Sequence, residues 1–288
     1  MRGVQAVNAP AQILRCLPER LREQVFEKDL LYAEELRLRA GAPMMLVRGG
    51  QNVPLSRGSV SAQEIGETVM RICNNSVYAV LEQIKNGFLM LPGGVRVGLA
   101  GRVLAAGEKI ENMKEFTGLN FRIPREIVGC ADKLLSHILQ NGKVKNTVLI
   151  SPPGCGKTTL LRDLVRLLSC RGFRVCVIDE RDELCAVHGG VPGFAVGENT
   201  DVLRLCPKTA GIELAVRSLS PQVLITDELW GEGQLQAMEK AASCGCSIVT
   251  TVHGNGRSAL AEESFFEVYV TLGRRNGPGS ILEVHSRA

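Results

Sequence analysis

Ser151-Pro-Pro-Gly-Cys-Gly-Lys-Thr158 decides the reading of this chain; the apolar run Thr147-Val-Leu-Ile150 precedes it and Thr159-Leu-Leu-Arg-Asp-Leu-Val-Arg-Leu-Leu168 follows. Apolar residues in the last stretch recur at helical spacing, so the order is strand, glycine-bearing loop, helix. In that order the loop is predicted to cradle phosphate, because main-chain N–H groups of the loop and of the helix N-terminus converge on an anion. The expected contacts come from Ser151, Pro152, Pro153, Gly154, Cys155, Gly156, Lys157, Thr158 and Thr159. Lys157 would reach the β- and γ-phosphate oxygens, and the Thr158 hydroxyl would ligate Mg²⁺. Ser151 stands where such loops usually begin with glycine, and Gly154 lies inside the loop instead. The expected ligand is a nucleoside triphosphate.

The 288 residues leave room for two modest domains, each with its own core. A hydrophobic fraction of 45% and a charged fraction of 22% are ordinary for a soluble globular protein. The net charge of +4 permits contact with acidic surfaces without arguing for it. No apolar run approaches the roughly 20 residues of a membrane-spanning helix. Met1-Arg-Gly-Val-Gln-Ala-Val-Asn8 lacks the apolar core of a signal peptide. The ten cysteines are scattered without zinc-ligand spacing, and several lie in apolar stretches, as Cys176 does. They are expected to be reduced, mostly buried thiols of a cytoplasmic protein.

Residues 1–125 read as an α+β domain. Ser61-Ala-Gln-Glu64 has capping-box spacing and opens a helix with Ile65, Val69 and Ile72 on one face. Glu35-Leu-Arg-Leu-Arg39 alternates as a half-exposed strand does, and turns are expected at Gly49-Gly50 and Pro92-Gly93-Gly94. Val95–Arg102 is glycine-rich, but strand alternation explains it better than phosphate binding. Ile123-Pro124 marks the passage to a second domain, 126–288. There a helix around Ala131–Leu139 is expected to stop at Asn141-Gly142. Buried strands at Thr147–Ile150, Arg174–Ile178, Val223–Thr226, Ser247–Val252 and Val268–Leu272 alternate with helices, which predicts an α/β fold with a largely parallel sheet.

Hydrolysis of a triphosphate needs a held cation, a carboxylate acting on water and a group that senses the γ-phosphate. Val223-Leu-Ile-Thr-Asp227-Glu228 is an apolar strand ending in two carboxylates. Asp227 would hold a water of the Mg²⁺ shell and Glu228 would polarise the attacking water. Val175-Cys-Val-Ile-Asp179-Glu180 runs into a second acidic cluster. A charge run after a strand is usually a solvated loop. A position beside the P-loop strand would instead bring Glu180 to the γ-phosphate as a catalytic carboxylate. His253 ends a third buried strand, Ser247–Val252. Lone histidines are more often structural, yet Thr251 and His253 would lie beside Asp227-Glu228 and report phosphate occupancy. Arg122 and Arg125 sit at the domain junction, either as solvated residues or with one serving as an arginine finger.

In order, Ser151–Thr158, Asp179–Glu183, Asp227-Glu228 and Thr250-Thr-Val-His-Gly254 resemble the Walker A, Asp, Walker B and His boxes of the type II and type IV secretion and pilus ATPases. Val177–Arg181, Thr200–Leu203, Cys206-Pro-Lys208, Arg217–Glu228 and Arg274–Gly279 are similar to the stage III sporulation protein AA family. So are Glu35–Arg39 and Val95–Arg102 upstream, and the resemblance covers nearly the whole chain. It implies a RecA-like P-loop domain behind a smaller α+β domain, binding ATP and Mg²⁺ and working as a homo-oligomeric ring, by expectation a hexamer. It also implies a cytoplasmic, mother-cell protein docked on an integral-membrane platform of a sporulation channel complex. The Walker B segment departs from the family's Asp-Glu-Ile-Gly-Arg: here it reads Asp227-Glu-Leu-Trp-Gly231, with the chain's single tryptophan in place of glycine.

Two other readings compete with a motor ATPase. A nucleic-acid-stimulated ATPase is compatible with mild basicity, but aromatics are 4% of the chain and none forms a stacking platform among basic residues. Nucleic acid is therefore not the expected partner. A nucleotide-gated scaffold with little turnover is favoured only by the altered Walker B continuation.

Overall fold

The structure, a computed structural model, describes residues 9–74, 76, 80–124, 126–187, 189–254, 265–275 and 277–287. They form two compact units, one from Ala6–Arg125 with Val187–Gly193, the other from Glu126–Ala186 and Phe194–Ala288.

In the first unit, α1 (Ala9–Cys16), α2 (Glu19–Arg22) and α3 (Glu27–Leu31) precede β1 (Glu35–Arg39), β2 (Pro43–Arg48) and β3 (Gln51–Ser59). Then come α4 (Ala62–Ile72), α5 (Leu81–Lys85), β4 (Phe88–Leu91), β5 (Val95–Ala106) and β6 (Lys109–Arg122). The six strands lie in the order β3-β2-β1-β6-β5-β4, every neighbouring pair antiparallel. Alternation sends Leu36 and Leu38 inward, where they join Leu46, Val97, Leu119 and Phe121 under Ile65, Val69 and Ile72 of α4. Ser61 caps α4 as the spacing predicts: its Oγ accepts from Glu64 N at 3.2 Å, and Glu64 Oε2 accepts from Ser61 N at 2.8 Å. Gly49 and Gly50, both at positive φ, close the β2–β3 hairpin as a two-residue turn.

The second unit opens with α6 (Asp132–Ile138), a short hairpin of β7 (Leu139–Gln140) and β8 (Lys143–Val144), and β9 (Thr147–Ser151). It continues with α7 (Lys157–Cys170), β10 (Val175–Asp179), β11 (Thr200–Arg204), α8 (Lys208–Ser218) and β12 (Val223–Thr226). It ends with α9 (Glu232–Ser243), β13 (Ser247–His253), β14 (Val268–Gly273) and β15 (Ser280–Ser286). The sheet runs β11-β10-β12-β13-β9-β14-β15, parallel throughout except for β15. Every residue of β9, β10 and β12 is buried, as helix-covered parallel strands require. Val148, Ile150, Cys176, Ile178, Leu224 and Ile248 share one core with Ile212 and Ala215 of α8 and Ala237, Met238 and Ala241 of α9. The C-terminal ends of β9, β10, β12 and β13 therefore share one edge, where ligands of such sheets bind.

Three expectations are corrected. The strand carrying Asp179 is not beside the P-loop strand: β10 pairs with β11 and β12, while β9 pairs with β13 and β14. The 14-residue α7 is about 21 Å long. The connection through α7 spans β13 and β12, which lie between β9 and β10. Asn141-Gly142 does not cap a helix, because α6 ends at Ile138. Asn141 (φ 50°) and Gly142 (φ 76°) form the turn between β7 and β8. Strands β11 and β15, only partly buried, lie where no strand was expected. All ten cysteines are free thiols, six of them buried.

Candidate nucleotide site

The loop after β9 turns on two glycines at positive φ, Gly154 (70°) and Gly156 (86°). Gly156 is the N-cap of α7, and a Cβ there would lie 2.9 Å from Gly279 N and 3.1 Å from Pro278 C, so backbone closeness as well as φ demands glycine. The β14–β15 hairpin braces the loop from this side. Gly279 N donates to Cys155 O at 2.7 Å, and Arg274 donates to Gly154 O from Nε (3.1 Å) and Nη2 (2.8 Å). Sequence reasoning gave Arg274 no part; the signal was the run Arg274–Gly279, read only as a family likeness.

Lys157, the first residue of α7, is 6% exposed. Its Nζ donates to Ser151 O (2.9 Å), Ser151 Oγ (3.1 Å) and Pro152 O (3.2 Å), and meets His253 Nδ1 at 3.1 Å. Burial lowers the ammonium's pKa. A charged Lys157 donating to Nδ1 leaves the histidine proton on Nε2, which faces Glu228 Oε1 at 2.9 Å. Lys157, His253 and Glu228 thus form one continuous polar chain.

Glu228 follows β12 with φ 32°, a backbone region costly for a non-glycine residue. Its N–H donates to Thr251 Oγ1 at 2.9 Å on the neighbouring β13, which fixes the peptide. Burial raises the pKa of its carboxyl, but the hydrogen bonds from His253 and Trp230 and the charge of Arg181 outweigh it and the net shift is downward. Trp230, 60% exposed, donates from Nε1 to Glu228 Oε2 at 3.3 Å, and Arg181 Nη1 approaches the same oxygen at 3.1 Å.

Asp227 is 5% exposed, and its Oδ1 is buried without a hydrogen-bond partner. Burial pushes its carboxyl upward, opposed chiefly by the Lys208 ammonium 3.4 Å away. Glu180 does not touch Lys157 or His253 in any contact described; its Oε2 lies 3.6 Å from Lys208 Nζ, which links it to Asp227. Lys208 was missed, although the triplet Cys206-Pro-Lys208 had stood out as a likeness. Asp179 turns inward: Oδ1 accepts from Glu183 N (2.9 Å), and Oδ2 from Leu184 N (3.0 Å) and Cys185 N (2.8 Å). Burial pushes this carboxyl up to about 6, against the pull of the three amides. Arg122 ends β6 in the other unit, exposed, opposite Glu35 and Arg96; Arg125 lies outside the described residues.

Pro153, Gly154, Gly156, Lys157, Thr158, Thr159, Glu228, His253 and Pro278 line a pocket of about 440 Å³. These residues suit a phosphate tail with a divalent cation. In the contacts described, the Lys157 ammonium is held by carbonyl and hydroxyl oxygens and a ring nitrogen, and Asp227 Oδ1 is buried without a hydrogen bond, 3.4 Å from Lys208 Nζ. Among the described residues no group of three or more His, Cys, Asp and Glu is placed to hold a metal by itself. Thr158, Asp227 and phosphate oxygens together would make a set of the kind Mg²⁺ uses.

The family described as "Sporulation stage III, protein AA" matches residues 8–288. Stage III sporulation protein AA of Bacillus subtilis (strain 168) is 35% identical over 293 residues, covering 96% of this chain and 95% of that protein. The ATPase DotB of Legionella pneumophila has a similar structure, with TM-score 0.60 at 16% identity over 88% of this chain and 76% of that one. The pilus retraction motor PilT with bound ADP gives TM-score 0.60 at 15% identity, with the same two coverages. At these identities the structural likeness speaks to the fold alone, a RecA-like fold with a smaller α+β domain. The match along almost the entire length, together with 35% identity to a relative of equal extent, makes this chain a member of the stage III sporulation protein AA family.

Proposed function

We propose that this chain is an ATPase that drives a secretion-like assembly during endospore formation. The observation carrying the proposal is the chain Lys157 Nζ–His253 Nδ1 (3.1 Å) and His253 Nε2–Glu228 Oε1 (2.9 Å), which ties the floor of an anion cradle to a carboxylate. Lys157 exchanges the Ser151 and Pro152 carbonyls for phosphate oxygens, and the loop amides bind the rest of the tail. Glu228 orients water and takes its proton, with His253 holding the carboxylate in place. Glu180 acts as an accessory carboxylate. Thr158 and Asp227 would hold Mg²⁺, which would supply charge neutralisation at the terminal phosphate. Arg122 or Arg125 of the first domain (1–125) serves as the finger when that domain closes on the second (126–288).

The reading extends to a homo-oligomeric ring, a hexamer, that passes closure and opening to an integral-membrane platform protein from the cytoplasmic, mother-cell side. The family and the fold shared with PilT and DotB support it. Phosphate release by the purified chain, compared with Lys157→Ala and Glu228→Gln, tests the enzymatic part; equal rates in all three proteins remove it. One contact favours a nucleotide-gated scaffold as a second reading: the Trp230 indole N–H engages Glu228 Oε2 at 3.3 Å. Tight ATP binding without phosphate release selects that reading.

A further inference from the structure

Lys208 is a lysine in an unfavourable place. It is 4% exposed, although burying an ammonium is costly unless every proton finds a partner. It opens α8, directly after Pro207, at the helix end whose dipole disfavours a cation. The oxygens described around it all belong to residues assigned to the chemistry. Nζ donates to Glu228 O at 2.6 Å and lies 3.4 Å from Asp227 Oδ1 and 3.6 Å from Glu180 Oε2. These residues directly follow β12 and β10, which pair side by side.

We propose that Lys208 is the positioning residue of the site. Its bond to the Glu228 carbonyl, with Thr251 Oγ1 on the Glu228 amide, clamps both sides of a residue held at φ 32°. That clamp aims the Glu228 carboxylate at His253 rather than letting the backbone relax. The same ammonium lies between Asp227 and Glu180, so two like charges on neighbouring strand ends can converge on one site. Its role runs through Glu228 and Asp227; it does not touch the reacting atoms. The kinetic part of the inference rests on the ATPase reading, and the positional part does not.

The test uses the full chain carrying Lys208→Met, which keeps length and removes charge, and Lys208→Arg, which keeps charge and changes reach. Trp230, the chain's single tryptophan and a donor to Glu228, reports the position of that carboxylate without nucleotide. We expect shifted Trp230 emission and altered acrylamide quenching in Lys208→Met, with far-UV circular dichroism unchanged. We also expect kcat to fall about 100-fold and KM for ATP to stay within about threefold, the pattern of a misplaced catalytic group. Lys208→Arg should recover part of both signals. Native emission and native kcat in Lys208→Met overturn the proposal. If Lys208→Met does not fold, Lys208→Gln, which keeps a polar side chain and removes the charge, decides: native emission and native kcat overturn the proposal, and a displaced Trp230 signal with reduced kcat supports it. If the native chain releases no phosphate, the ATPase reading fails, while the Trp230 signal of the nucleotide-free variants still decides the positional claim.

Discussion

His253 Nε2 lies 2.9 Å from Glu228 Oε1, so a ring at the end of β13 holds a carboxylate at the end of β12. Removing the ring frees Glu228 and deletes one acceptor of Lys157. His253→Ala should lower kcat about 100-fold while ATP affinity changes by less than about fivefold. Phosphate release and ATP titration of the same preparation separate the two effects. Loss of binding with unchanged chemistry would mean that His253 serves the cradle alone.

The two loop glycines should differ in sensitivity. A methyl group on Gly156 meets the backbone of Pro278 and Gly279, whereas on Gly154 it meets the end of the flexible Arg274 side chain. Gly156→Ala should therefore cost about 2–3 kcal/mol in folding stability, and Gly154→Ala about 1 kcal/mol. Urea unfolding midpoints check the order, and equal costs argue against the hairpin as a brace.

Asp179 shapes the loop after β10 by accepting three amides, so Asp179→Ala should destabilise the protein by about 3 kcal/mol, seen in the urea midpoint. The pH dependence has a definite sign. Burial raises this carboxyl from 3.8 to about 6, so the folded state binds more protons between those values than the unfolded chain does. Its contribution to stability is therefore greatest in acid and declines as pH rises from about 4 to 6. Stability measured across that interval should lose this downward component in Asp179→Ala.

Glu64 has the opposite sign. Chiefly the Arg20 hydrogen bond lowers its carboxyl from 4.5 to about 2, so its contribution is present above 4.5 and disappears as pH falls toward 2. Glu64→Gln should blunt acid destabilisation of the first unit. Ser61→Ala, which removes the reciprocal cap, should cost about 1 kcal/mol at neutral pH. Thermal melts at neutral and acidic pH measure both.

The sequence revealed what local chemistry determines. Apolar runs identified β9, β10 and β12, a run of isoleucine, valine and threonine identified β13, and serine followed three residues later by glutamate located the start of α4. The position of β10 was not legible, because no local feature states how many strands a crossover helix passes. Strands β11 and β15 are partly exposed edge elements with weak apolar patterning. Asn-Gly serves equally as a helix stop and a hairpin turn, and only the pairing of β7 with β8 distinguishes the two. In the site, Lys157, Asp227, Glu228 and His253 could be named because each follows or ends a strand. Lys208 and Arg274 act by reaching across the fold, which spacing along the chain does not encode.

Calorimetric titration of ATP with Mg²⁺ into the native chain, Lys157→Ala and Glu228→Gln tests most directly whether a triphosphate tail is gripped around Lys157. The account predicts binding by the native chain and by Glu228→Gln with similar affinity, and a loss of about 100-fold in Lys157→Ala. Native-like affinity in Lys157→Ala, or no binding by the native chain, contradicts it.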